Sequence, residues 1–414
     1  MSNLWRFAVL ALAWTVLSAS AARAPHVRIA TGKIAATNWP YLPGSLLPLR
    51  IDGFAPPYHA ALLGPGRLLP DGTYVIPQEA PAGSALLVAG NAAGLAARTL
   101  PIAAPPDAKR SFLVVASYDD GLIFHDARDY SVIGVLATGG APSDAAIDRL
   151  GRIAATDTQG SALLLAALTP WSVARVEGVL LGDEIAIDET THAIFVTNRD
   201  SNGKGALTRV GTSGDVARVV TGQTAEGLAV DEQRQIVYVA NVNDGTVAAV
   251  DARSMQIVRR FPAVARIFSL ALSPDGTLLY GISNQSAGSP FAAPGAAVAI
   301  SLRGTPRVVA RSADLAFPLG AALDPSTATL FVTDEQLDRV DVLDARTLRA
   351  KHAPLLTCRI PWKPLLDTAD GRLYVPCAGA NQIDAFDTQT LRRIAGAPFA
   401  TGSYPLAVAI WHPQ

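Results

Sequence analysis

The chain has 414 residues, half of them hydrophobic, with 34 Gly, 29 Pro and a formal net charge of -1. That length is too great for one small core and sufficient for a large repeat domain with a modest second domain. The near-zero charge and the lack of a basic stripe exclude a nucleic-acid surface and give no field for an anionic membrane.

In chain order, Arg6 precedes an apolar run from Phe7 to Leu17 that is short for a transmembrane helix. Ala19-Ser20-Ala21 and Ala22-Arg23-Ala24 both fit a signal-peptidase cut. Residues 1–24 therefore read as a signal peptide, which predicts a periplasmic or secreted protein. No later apolar run approaches about 18 residues, so no membrane span is expected after cleavage. Only Cys358 and Cys377 are present, and an oxidising compartment would allow them to pair.

Residues 25–106 carry short alternating segments: Leu47 to Ile51, Tyr58 to Leu63, Gly72 to Ile76, Ala85 to Val88 and Ala97 to Ile102. Gly and Pro separate them, which predicts a small antiparallel β-sandwich. Gly53-Phe54-Ala55-Pro56-Pro57-Tyr58 is similar to bacterial immunoglobulin-like modules. Pro105-Pro106 reads as the linker onward.

From residue 107 to 414 the chain repeats. Short apolar strands end at Asp148, Asp188, Asp231, Ser273, Asp324 and Asp367, in steps of 40, 43, 42, 51 and 43 residues. That period suits four short strands per unit. Second strands follow after tight turns, beginning at Phe112, Arg152, Ala193, Ile236, Leu278, Thr329 and Arg372. The first of these lacks a preceding inner strand, and Leu406 to Ile410 is a surplus one at the other end. Pairing the two would close a ring of seven and leave no open edge.

Tyr238-Val239-Ala240-Asn241, followed by Asn243-Asp244-Gly245-Thr246-Val247 and Val250-Asp251, resembles the YVTN family of propeller repeats. The resemblance implies an all-β fold: a seven-bladed β-propeller, here preceded by the immunoglobulin-like sandwich. It says little about function, since that family spans surface-layer repeats, binding proteins and relatives of lactonases.

Strand order puts the second-to-third loops and the entries to the inner strands on one face. There the entries supply an acidic arc, Asp144, Glu184 and Glu226, opposite Arg266, Trp362, Lys363 and Tyr404. Such an arrangement would hold a polar small molecule or a peptide end. As exposed loop charges, these residues would contribute little to stability. Glu184, Glu226, Asn198 and Asn241 offer oxygen donors of the kind Ca²⁺ or Mg²⁺ takes, but no local motif gathers them. The six histidines are not spaced as metal pairs, so neither metal nor cofactor is expected. Two loops exceed the repeat, Gln285 to Gly295 and Arg199 to Gly205.

The leading expectation is a monomeric, non-enzymatic binding protein for a small molecule, polymer or protein partner. A lactonase-like metal-dependent hydrolase is one alternative. An electron-transfer subunit resembling the heavy chain of amine dehydrogenases is another.

Overall fold

A computed structural model describes residues 26–29, 38–52, 54, 57, 59–92, 94–284 and 294–414. Residues 1–24, expected to be a signal peptide, and most of the expected long loop Gln285 to Gly295 lie outside the described residues. The described residues form strands and turns, and none of them is helical. No helix among them is long and apolar enough to cross a membrane.

From Phe112 onward there are seven four-stranded antiparallel sheets. Six of them take four consecutive strands each. The first instead runs Val132–Leu136, Gly121–Asp126, Phe112–Ser117, and then Pro405–Trp411 from the far end of the chain. The inner strands touch one another in cyclic order: Ala145–Ile147, Gly182–Ile187, Ala225–Asp231, Ile267–Leu272, Pro318–Asp324, Leu365–Asp367 and Pro405–Trp411. The architecture is propeller-type.

The local chemistry explains the repeat. Second strands such as Phe112–Ser117 and Thr329–Asp334 are buried along their whole length, which suits their β-branched and aromatic composition. The aspartates that end third strands cap the following turns. Asp251 accepts the N–H groups of Arg253 and Ser254 at 3.1 and 2.7 Å. Asp344 and Asp387 do the same two and three residues on. The expected long loop from Arg199 to Gly205 is instead an extension of the hairpin. Strands Ile194–Arg199 and Lys204–Val210 pair to their ends around a turn capped by Asp200.

The N-terminal strands form two sheets. One comprises His26–Ile29, Leu46–Asp52, Thr73–Val75 and Arg67–Leu68; the other His59–Leu63, Gly83–Asn91 and Gly94–Ile102. Their shared core, with Leu47, Tyr74, Leu87 and Leu100, is continuous with Leu113, Val115 and Ile123 of the first sheet and Tyr374 and Ile383 of the seventh. Residues 40–46 lie along the outer edge of the first sheet, where Leu42 N–H donates to the Val135 carbonyl and Leu46 N–H to that of Ala137. Trp171 of the second sheet donates to the Pro43 carbonyl at 3.0 Å. Packing therefore runs across Pro105-Pro106.

Cys358, just past the last strand of the sixth sheet, is bonded to Cys377 at the end of Arg372–Cys377 in the seventh. Their Cα atoms are 5.6 Å apart.

Two outcomes are expected. Leu42 is fully buried among Phe112, Leu122 and Leu136. Leu42→Ala should cost about 2–5 kcal/mol in denaturant melts of the whole chain, although residue 42 precedes the ring. Thiol titration of the unreduced, unfolded protein should find no free cysteine. Reduction should lower stability by about 3 kcal/mol or less, the entropy of a loop this short.

Candidate ligand site at the channel mouth

The chain enters most inner strands through a residue in the left-handed region: Leu181 (φ 43°), Thr224 (55°), Arg266 (59°), Ile360 (57°) and Tyr404 (54°). Soon afterwards the register breaks. Pairing skips between Gly182 and Ile185, Ala225 and Leu228, Ile267 and Ser269, Pro318 and Ala321, and Pro405 and Ala407. A bulge frees a residue from the ladder and re-aims its side chain. The skipped residues include Asp183, Glu184, Glu226, Phe268, Leu319 and Leu406, and all six line one cavity of about 110 Å³. Ser143, Asp144, Trp362 and Lys363 complete its wall.

Two of the acids latch neighbouring sheets. Asp144, in the second sheet, accepts the Ile185 N–H of the third at 2.9 Å through Oδ2. Glu184, in the third, accepts the Leu228 N–H of the fourth at 2.9 Å. The fourth sheet has Gly227 at the matching place. A Cβ there would meet the Ser269 backbone at 3.0 Å, so a side chain would require the adjoining strand to give by a few tenths of an ångström.

Lys363 crosses to this latch from the seventh sheet. Its Nζ lies 2.6 Å from Asp144 Oδ2 and 3.6 Å from Glu184 Oε1. Burial works against its charge, but the two carboxylates more than offset that and hold its pKa above the ordinary lysine value. Arg199 forms a second ion pair, 2.7 Å from Glu226 and 3.2 Å from Asp183. Burial pushes the Glu184 carboxyl up to about 7, with Lys363 opposing and Asp144 adding. Asp183 and Glu226 are raised as well, chiefly by burial and further by neighbouring carboxylates, while Arg199 opposes.

Of the residues expected at the mouth, Asp144, Glu184, Glu226, Trp362 and Lys363 line the cavity together. Arg266 and Tyr404 do not line it. Arg266 lies over the Phe268 ring, 5.4 Å from its centroid, and its charge reaches Glu226. Tyr404 is 40% exposed and packs near Trp362 and Tyr118, with ring centroids 6.4 and 6.2 Å away. Asp144, Glu184 and Glu226 are not the solvated charges expected from their loop positions; Asp144 is buried, the two glutamates are half-buried, and all three are ion-paired. Asp183, Arg199, Phe268, Leu319 and Leu406 complete the set. A charge next to Glu184 hinted at Asp183, but nothing local marks the apolar wall.

Asn198 and Asn241 each make one bond within their own sheets, while Asn198 Nδ2 and Asn241 Oδ1 are buried without a hydrogen-bond partner. Asn198 Oδ1 accepts from Thr208, and Asn241 Nδ2 donates to Thr246. Neither lines the cavity, so the oxygen set with Glu184 and Glu226 is not gathered there.

No protein-family model matches the chain, and no curated protein matches it. Solved structures do. A protein of unknown function from Desulfotomaculum acetoxidans aligns with a TM-score of 0.60 at 14% identity, over 73% of this chain and 99% of that one. A candidate 6-phosphogluconolactonase from Bacteroides uniformis aligns with 0.58 at 11%, over 73% and 99%. Hydrazine synthase from Kuenenia stuttgartiensis aligns with 0.58 at 14%, over 65% and 90%. At these identities the likeness establishes the propeller-type fold and nothing finer.

The raised carboxylates fix a pH dependence. Folded Glu184 keeps its proton up to about pH 7, whereas the unfolded residue loses it near 4.5. In that window the folded state holds more protons, so this stability is complete below the unfolded value and declines as pH rises. Asp183 and Glu226 act with the same sign. His125 acts oppositely: buried, it is pushed down to about 4, so its contribution grows as pH rises from there toward 6.5. Above about pH 6.5 the histidine is silent. The unfolding free energy in denaturant melts should therefore fall between pH 6.5 and 8.5, by at most about 1.4 kcal/mol per pH unit for each proton released. Glu184→Gln should flatten that slope.

Proposed function

We propose that this chain is an exported seven-bladed β-propeller, preceded by an immunoglobulin-like sandwich, that binds a small organic cation at the channel mouth. Seven consecutive four-stranded sheets, with the inner strands in cyclic contact, support the blade count. Two packed N-terminal sheets support the sandwich. The bond between Cys358 and Cys377 supports an oxidising compartment, and the apolar N-terminal run supports export.

The observation that carries the ligand class is the charge balance of the cavity. Four carboxylates, Asp144, Asp183, Glu184 and Glu226, face two ion-paired cations, Lys363 and Arg199. Arg266 offsets part of the remainder from beside Phe268. Three of the acids are raised by burial, so a cation entering beside them would restore their ionised forms. Trp362, Phe268 and Leu319 give an apolar and aromatic wall, which suits an amine or guanidine carried on a hydrocarbon stem. The reading is of a binding module and not an enzyme.

A metal-dependent, lactonase-like hydrolase is a second reading. It is favoured by Glu226, raised to a value fit for proton transfer near neutrality. Against it, neither Asn198 nor Asn241 lines the cavity with Glu226.

Calorimetry against alkylamines, alkylguanidines, neutral sugars and lactones separates the readings. Binding of the cations is expected, weakened about tenfold or more by Glu226→Gln, the loss of one charged partner. Preference for neutral sugars would sink the cation reading. Metal-dependent lactone turnover would establish the hydrolase instead.

A further inference from the structure

At the opposite end of the inner strands a second pattern repeats. Each inner strand that ends in aspartate uses one carboxylate oxygen to cap the next turn, and in four sheets the other oxygen receives a side-chain donor. Asp148 Oδ2 takes Arg152 at 2.7 Å, and Asp188 Oδ2 takes Gln235 at 2.7 Å. Asp231 Oδ2 takes Arg234 at 2.7 Å, and Asp324 Oδ2 takes Thr327 at 2.8 Å.

The seventh sheet departs from this. Asp367 Oδ1 caps its turn, accepting the Ala369 N–H at 3.0 Å, and also meets His412 Nε2 at 3.0 Å. Its side chain is only 2% exposed, yet Oδ2 has no hydrogen-bond partner. Three residues on, where the fourth sheet has Arg234 and the sixth Thr327, stands Asp370. The repeat thus places a second anion where it elsewhere places a donor. One ligand atom from each of Asp367, Asp370 and His412 lies within 4.8 Å of the others. Arg372, whose charge reaches Asp370, donates to the Ala127 carbonyl and the Tyr374 hydroxyl and pairs with neither acid.

A buried oxygen without a donor, a facing carboxylate and an imidazole form a cation's ligand set. His412 Nδ1 lies 3.3 Å from the Ser111 hydroxyl, a contact that orients the ring as outer partners of metal-bound histidines do. We propose that Asp367, Asp370 and His412 bind a divalent transition-metal ion, Zn²⁺ or Mn²⁺. Imidazole with two carboxylates suits these ions better than Ca²⁺ or Mg²⁺, which prefer oxygen alone. His412 directly follows the closing strand Pro405–Trp411, and both acids belong to the turn of the seventh sheet. The ion clamps the last strand of the ring to its neighbour.

The test uses the whole chain, stripped of metal, in thermal melts and calorimetry with each ion alone. Zn²⁺ or Mn²⁺ should bind one per chain and raise the melting temperature by about 2–5 °C when well above Kd. His412→Gln should weaken binding at least about tenfold, the scale of losing one ligand. Asp370 is exposed, so its variants should fold. Asp370→Arg restores the donor of the fourth sheet; it should lose the metal response and melt no lower than the metal-free parent. The site is overturned if the parent ignores both ions at about 1 mM. It is equally overturned if Ca²⁺ or Mg²⁺ alone stabilises, or if Asp370→Arg responds like the parent.

Discussion

The seam dominates this structure. A ring of sheets built from one chain must join its ends, and here Pro405–Trp411 pairs with Phe112–Ser117 inside the first sheet. Phe112–Ser117 is buried throughout, so without its partner both backbone groups and apolar side chains would face water. The remaining architecture gathers at this joint. The N-terminal sheets share their core with the first and seventh sheets. Trp411 donates to the Ala108 carbonyl, and Ser117 to that of Ser403. The disulfide ties the sixth sheet to the seventh, one step from the joint.

Closure also makes the cavity. Seven inner strands crowd around one axis, and their ends cannot all keep a regular ladder. Glycines mark the closest approaches. A Cβ on Gly320 would meet Pro364 at 2.8 Å and the Lys363 backbone at 2.9 Å. Gly320 and Gly227 lie within the bulges that release residues from pairing. The freed amides are then capped by acids from the preceding sheet, as Ile185 is by Asp144 and Leu228 by Glu184. The same carboxylates that shape the pocket thus hold adjacent sheets in register.

The period of about 40 residues, the turn aspartates and the second strands were legible because each depends on local chemistry: β-branched runs, Asx caps and tight turns. The face carrying Asp144, Glu184, Glu226, Trp362 and Lys363 followed from strand order alone. What was hidden depends on crowding or on distant partners. Bulges arise from ring geometry, so no local pattern announced Phe268 or Leu406 as wall residues. Arg266 and Tyr404 occupy left-handed positions whose side chains swing clear of the cavity, which spacing cannot reveal. The turn at Asp200 preserves pairing that a count of extra residues suggested was lost. Nor could spacing reveal that Leu42, 63 residues before Pro105, fills the side of the first sheet. His412 meets Asp367 only because the ring closes.

Lys363 gives the mouth a mechanical property beyond its charge. Its ammonium is shared between Asp144 and Glu184, and each carboxylate also holds an amide of the following sheet. Lys363 itself belongs to the entry of the seventh sheet, where its N–H meets the Leu406 carbonyl of the closing strand. One side chain therefore spans the seam and bears on the second and third sheets through their acids. A cation that displaced it would have to replace two ion contacts at once, or leave buried carboxylates to take up protons. A ligand that left Lys363 in place and met Glu226 would compete for its ion pair with Arg199, whose side chain is 35% exposed and can turn toward water. The second route leaves the latch between sheets intact, so under the proposed binding function Glu226, rather than Glu184, would be the acid that meets a ligand without loosening the ring.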